Sequence, residues 1–177
     1  MKSIRLILLL SLLSGFLGIL SSCNKSVDTE TITLNNTPAN TMVVTIDSTS
    51  YSWRTAGTSV TNSGTTITVE GANTNNDGNG VGFTLTNITQ PGSYDVLTNG
   101  TALTGVTIAS ENITSGQVIS YSSTSVGTSA GKFTIQFISP DSLKATFKAT
   151  LAKVNGSASA PTSMAVAGSV NVSFKRQ

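Results

Sequence analysis

The chain has 177 residues, and from Cys23 onward eight Lys and Arg balance eight Asp and Glu, so the formal net charge of +2 comes from Lys2 and Arg5 at the front. That balance argues against a nucleic-acid partner, whose phosphates call for a basic excess. Histidine is absent and Cys23 is the single cysteine, which excludes an internal disulfide, a thiol–imidazole pair and a zinc site of ordinary ligand count.

Met1 to Arg5 is short and positive, and Leu6 to Leu20 is apolar apart from Ser11, Ser14 and two glycines. A run of about 15 residues falls short of the roughly 20 that a spanning helix needs, and reads as a secretion signal. Leu20-Ser21-Ser22-Cys23 then resembles the lipobox of bacterial lipoproteins. The order suits the chemistry: small residues let the backbone enter a signal peptidase, and a thiol accepts diacylglycerol as a thioether. The expectation is cleavage before Cys23 and lipidation of Cys23, which makes a membrane the first partner. Asn24 stands where a retention-type aspartate would, which points to the outer membrane; Asp28 and Glu30 only faintly echo acidic surface-export signals. The division read from the chain is a signal peptide over 1–22, a lipidated polar tether over 23–40 and a β domain over 41–177.

Of the 155 residues from Cys23, 63 are Ser, Thr or Asn, yet Val, Ile and Phe recur among them with a period of two. Such alternation is the mark of strands with one wet face. In chain order the sets are Met42-Val44-Ile46, Tyr51-Trp53, Ile67-Val69, Val81-Phe83-Leu85, Tyr94-Val96, Val106-Ile108, Ile119-Tyr121, Phe133-Ile135-Phe137, Leu143 through Leu151, and Val170-Val172-Phe174. The clearest places Leu143, Ala145, Phe147, Ala149 and Leu151 inward, with Lys144, Thr146, Lys148 and Thr150 in water. Turn signals separate the sets: Asp47-Ser48, Asn62-Ser63-Gly64, Pro91-Gly92, Asn99-Gly100, Pro140-Asp141 and Asn155-Gly156. The fold expected is all-β: an antiparallel sandwich of about ten short strands, or the same meander closed as a flattened up-and-down barrel. A membrane-spanning barrel is excluded, because the outward positions are Ser, Thr and Lys.

The lipobox, "YSWR", "PGSYDV", "GKFTIQFIS", "LKATFKATL" and "GSVNVSFK" together resemble small all-β lipoproteins of Bacteroidota. The resemblance covers most of the chain after Cys23 and implies a location and a fold. It implies no activity, because its motifs are structural.

The residues that bear on function are few. Asn73, Asn75 and Asp77, followed by Gly78, have the opening pattern of a calcium loop, but the twelfth position is Thr84 rather than a bidentate glutamate. A connector is therefore the better reading, and no metal or cofactor is expected. Trp53, Phe83, Phe133, Phe137, Phe147 and Phe174 share parity with the core aliphatics, which leaves little for a sugar-stacking platform. Charge is uneven: residues 23–130 net −5 and residues 131–177 net +5. Lys144 and Lys148 share a wet face, with Lys132, Lys153, Lys175 and Arg176 at strand ends. This is a candidate site for anionic glycans or lipid phosphates, weighed against a solvated face whose lysines discourage edge pairing. Asp47-Ser48-Thr49 and Asp141-Ser142-Leu143 resemble O-glycosylation acceptors of exported Bacteroidota proteins, so Ser48 and Ser142 are candidate modification sites. No catalytic constellation is visible, and without histidine no side chain of ordinary pKa serves as a base near neutrality. The expectation is a membrane-anchored envelope lipoprotein acting as a non-catalytic binding or structural surface module. A glycan- or small-ligand-binding lipoprotein is the alternative, with an envelope polysaccharide or protein as partner; a hydrolytic enzyme is the weaker one.

Overall fold

An alternation from Ser142 to Leu151, with no Gly or Pro before Gly156, underlies Ser142–Asn155, the longest strand among the described residues, and the rest of the sheet is arranged on it. The structure, a computed structural model, describes residues 37–54, 58–63, 66–72, 78–98, 103–114, 117–126 and 129–174; for 58–63 and 114 it describes the backbone alone. Eleven strands are present among these: β1 (Thr41–Ile46), β2 (Thr49–Arg54), β3 (Thr58–Ser63), β4 (Thr66–Ala72), β5 (Asn79–Thr86), β6 (Gly92–Asp95), β7 (Gly105–Thr114), β8 (Gln117–Ser122), β9 (Gly131–Ser139), β10 (Ser142–Asn155) and β11 (Ser163–Ser173). A 3-10 turn at Ser123–Ser125 follows β8.

The strands form one antiparallel sheet in the order β2-β1-β11-β10-β8-β7-β5-β4-β3, with β9 and then β6 branching from β10. The branch arises because β10 outruns its neighbours. Along one edge β11 accompanies it from Ser142 to Ala152. Along the other, β9 covers Ser142 to Ala149 and β8 takes over from Ala152. Gly131 marks the handover: its φ is 145°, and a side chain there would strike the Lys148 carbonyl.

The sheet curls into a half-barrel, so that its two halves face one another across a shared core. The sequence expectation of an all-β antiparallel fold holds, and its sandwich and flattened barrel meet in one continuous curled sheet. Phe83 of β5 packs on Phe133 of β9 at 4.8 Å between ring centres, and Phe133 stacks on Phe147 of β10 at 5.9 Å. Met42, Leu85, Ile108, Ile135, Leu143 and Leu151 are fully buried around them. The two ends of the sheet approach through side chains. Trp53 of β2 lies against Gly71 of β4, and Asn79 of β5 donates a 2.7 Å hydrogen bond to the Tyr51 hydroxyl of β2.

Two features depart from the alternation. Phe137, assigned to the core by parity, is 47% exposed. A bulge causes this: Ile135 pairs with Ala145 and Phe137 with Lys144, leaving Gln136 without a partner. The extra residue turns Phe137 outward and brings Ile138 against the core. The other is β3, whose TSVTNS carries too little apolar periodicity to announce a strand, yet it pairs with β4 from Thr58 to Ser63.

Two clasps fix the sheet's exterior. Asp47 and Ser48 have φ of 43° and 80°, the left-handed pair that a tight two-residue hairpin requires. The Asp47 carboxylate accepts from Ala165 N at 2.8 Å, and Asp47 N donates to Ala165 O at 3.1 Å, so the β1–β2 turn is pinned to β11. Before β1, the Thr37 and Ser169 hydroxyls meet at 2.6 Å, Asn171 Nδ2 donates to Thr37 O at 3.1 Å, and Ser173 N donates to Asn40 Oδ1 at 3.1 Å. Residues 37–40, read as the end of a tether, thus lie across the outer side of β11.

Candidate functional site

Because Phe133 and Phe147 point inward, their neighbours Lys132 and Lys148 point outward, and strand pairing sets these lysines directly opposite each other. Extending that row across the sheet gives Asp95 (β6), Lys132 (β9), Lys148 (β10), Ala167 (β11), Thr45 (β1) and Ser50 (β2). Lys132 reaches Asp95 with Nζ 2.7 Å from Oδ1, an exposed pair of the kind that contributes less than about 1 kcal/mol. Lys148 has no ion-pair partner among the described residues.

Beside Lys132 and Lys148, both of which line it, the surface dips into a groove of about 460 Å³. Its floor is Ala165 and Ala167, and hydroxyls of Thr45, Ser48, Ser129 and Thr150 stand around it. Asp47 closes one end, with one carboxylate oxygen already engaged by Ala165 N. The floor exists because β11 reads Ser163-Met-Ala165-Val-Ala167, with alanine at outward positions where polar residues would be usual. That alanine pair is the signal in the sequence that periodicity reasoning passed over.

A second, smaller concavity of about 260 Å³ lies on the outer side of β4, β5 and β7. Glu70 and Glu111 flank a bed of Ala72, Gly80, Gly82 and Ala109. The uneven charge of the sequence thus becomes spatial: Lys132, Lys144 and Lys148 on one outer face, Glu70 and Glu111 on another.

The candidate residues fall in different places. Cys23, Asn73, Asn75, Asp77, Lys175 and Arg176 lie outside the described residues. Thr84 is half-buried in β5, its hydroxyl 3.3 Å from that of Thr68. Ser48 is exposed at its hairpin tip and lines the larger groove, whereas Ser142 opens β10, half-buried between Ser139 and Ser173. Lys144 shares the outward face but pairs with Phe137, away from the groove. Lys153 is spent elsewhere: its ammonium donates to the carbonyls of Ser157 at 2.9 Å and Ala160 at 3.0 Å, holding the β10–β11 connection. Trp53, Phe83, Phe133, Phe147 and Phe174 are buried, as their parity requires.

Inside the barrel, the Tyr121 hydroxyl donates to Pro161 O at 3.2 Å. Burial raises the phenol above its ordinary pKa of 10.0, and the negative charge of Asp47 adds to the effect. Asn79 Oδ1 is buried without a hydrogen-bond partner, its amide nitrogen being engaged by Tyr51. Among the described residues no three His, Cys, Asp or Glu gather as a metal site, and no helix is long and apolar enough to cross a membrane. The class that the geometry defines is an antiparallel all-β half-barrel with grooves on its outer faces. No family model, curated protein or solved structure matches the chain.

Proposed function

We propose that this chain is a lipid-anchored envelope protein of the outer membrane whose β domain is a non-catalytic binding or structural module. The observation that carries the reading is Leu20-Ser21-Ser22-Cys23 at the end of a positive-then-apolar leader, with the chain's single cysteine at the position that lipidation uses. One acyl chain anchors only marginally, at about 0.8 kcal/mol per buried methylene, so a multiply acylated cysteine is what holds such a protein. The resemblance to small all-β lipoproteins of Bacteroidota supports the same location. The test is metabolic labelling with a fatty-acid analogue, followed by fractionation. The wild-type chain takes up label and sediments with membranes, and Cys23→Ser does neither. A Cys23→Ser chain that loses its leader and still stays in the membrane fraction would overturn the anchor.

The groove beside Lys148 favours the ligand-binding form of this reading over a purely structural one. Its floor is small and its rim is hydroxyl-bearing, whereas a face serving only solubility has no need of paired outward alanines on a central strand.

A further inference from the structure

We propose that the groove beside Lys132 and Lys148 binds an acidic sugar unit, its carboxylate held between the two ammonium groups and its ring lying on Ala165 and Ala167. The inference rests on the reading of the domain as a binding module and names the ligand class of that module.

The argument begins with a cost. Like charges directly opposite on a sheet repel, and Lys132 and Lys148 are such a pair. Asp95 relieves it from one side only, at Lys132. Both lysines line the groove, so an anion there would meet Lys148 and share Lys132 with Asp95, while the Asp47 carboxylate on the same lining is engaged by Ala165 N. The shape selects among anions. The groove's volume of about 460 Å³ has room for a hexose ring, and its alanine floor offers a flat apolar bed for the C–H face of one. Hydroxyls of Thr45, Ser48, Ser129 and Thr150 supply donors and acceptors for ring hydroxyls. The groove lies on the outside of the sheet, so a chain of such units reaches it without opening the core. A lipid surface fits less well, because Leu103, Ile113, Val118, Phe137 and Val154, the large apolar side chains exposed to solvent among the described residues, all lie outside the groove.

The experiment titrates the full-length chain, in non-ionic detergent, with trigalacturonate, with neutral maltotriose and with glycerol phosphate, by calorimetry and amide shifts. Trigalacturonate should bind, shifting the amides of Ala165, Ala167 and Thr150, and maltotriose should bind at least about tenfold more weakly, the equivalent of one charge-assisted contact. Lys148→Ala should lower the trigalacturonate affinity about tenfold, on the same reasoning. Ala167→Leu, which fills the floor and leaves every charge in place, should abolish binding. Lys144→Ala removes the same charge from the same face outside the groove and should change nothing. Equal losses from Lys144→Ala and Lys148→Ala would reduce the effect to diffuse charge and overturn the site. Glycerol phosphate binding as tightly as trigalacturonate would overturn the sugar in favour of a phosphate headgroup. Failure of all three ligands would overturn the proposal while leaving the anchor, judged by labelling at Cys23, untouched.

Discussion

The ring of Trp53 occupies the space in which a side chain on Gly71 would lie: a Cβ there would come within 2.5 Å of Trp53 Cε3 and 3.1 Å of Met42 Sδ. This contact, with the Tyr51–Asn79 hydrogen bond beside it, brings the β2 end of the sheet against β4 and β5. Gly71→Ala should therefore destabilise the domain by about 1–3 kcal/mol, the usual range for overpacking a filled core. Gly80→Ala, on the outer side of the next strand with its nearest neighbour 3.5 Å away, should be neutral or gain about 0.4–1 kcal/mol through the unfolded state. Urea denaturation with an unchanged slope decides between them. Equal midpoints for the two variants would show that Trp53 is not confined as described.

Phe147 and Lys148 are neighbours with opposite fates, one 2% exposed in the aromatic cluster and the other in water. Phe147→Ala should cost about 3–5 kcal/mol, and Lys148→Ala should stay within roughly 0.5 kcal/mol. Comparable losses would mean that the strand does not present these faces.

The bulge at Gln136 makes a sharper test, because it separates two residues of identical parity. Ile135→Ala should cost about 2–5 kcal/mol as a buried truncation, and Phe137→Ala less than about 1 kcal/mol. Deleting Gln136 removes the extra residue, so that Ile135–Ala145, Phe137–Lys144 and Ile138–Leu143 pair without a bulge and Phe137 and Ile138 keep their faces. That variant should lose far less stability than Ile135→Ala, and a comparable loss would show that Gln136 is not the residue left out of the pairing.

Tyr121 gives the domain an alkaline limit. Its folded pKa is raised by burial and by Asp47, so its contribution is fully present below the ordinary value of 10.0 and is lost as pH rises through the folded pKa. Tyr121→Phe loses the hydrogen bond to Pro161 O and should be less stable at neutral pH by about 0.5–1.5 kcal/mol. Above pH 10.0 the wild type should fall faster than Tyr121→Phe, so the gap between them narrows. Melting curves across that range check it; a gap independent of pH would show a phenol that ionises as freely folded as unfolded.

Where side chains alternate, the strands were legible in the residues alone, because a period of two has one physical meaning in a half-buried sheet. Leu143 to Leu151 shows this at every position. Phe137 was misread because a bulge shifts parity by one residue, and nothing in GKFTIQFIS marks Gln136 as the residue without a partner. β3 was missed because TSVTNS is held by pairing with β4 rather than by apolar content of its own. The groove is half visible in the sequence: charge marks Lys132 and Lys148, but their pairing and the floor of Ala165 and Ala167 depend on which strands become neighbours. Strand order is set by long-range packing, which local periodicity does not encode.

The fork at β10 has a consequence for how the domain comes into being. β4, β5, β7 and β8 pair in a run of near neighbours along the chain, whereas β1 must wait for β11, with Met42 opposite Val170. Until β11 has emerged, the β1–β2 hairpin has no strand to complete it, and the apolar side of Met42, Val44 and Ile46 stays open. Contacts of such long sequence separation slow folding and prolong exposure to aggregation. Under the export proposed above, this risk falls where no ribosome paces folding, and a holding chaperone on the arrival side should then matter more to the yield than for a helical protein of equal length.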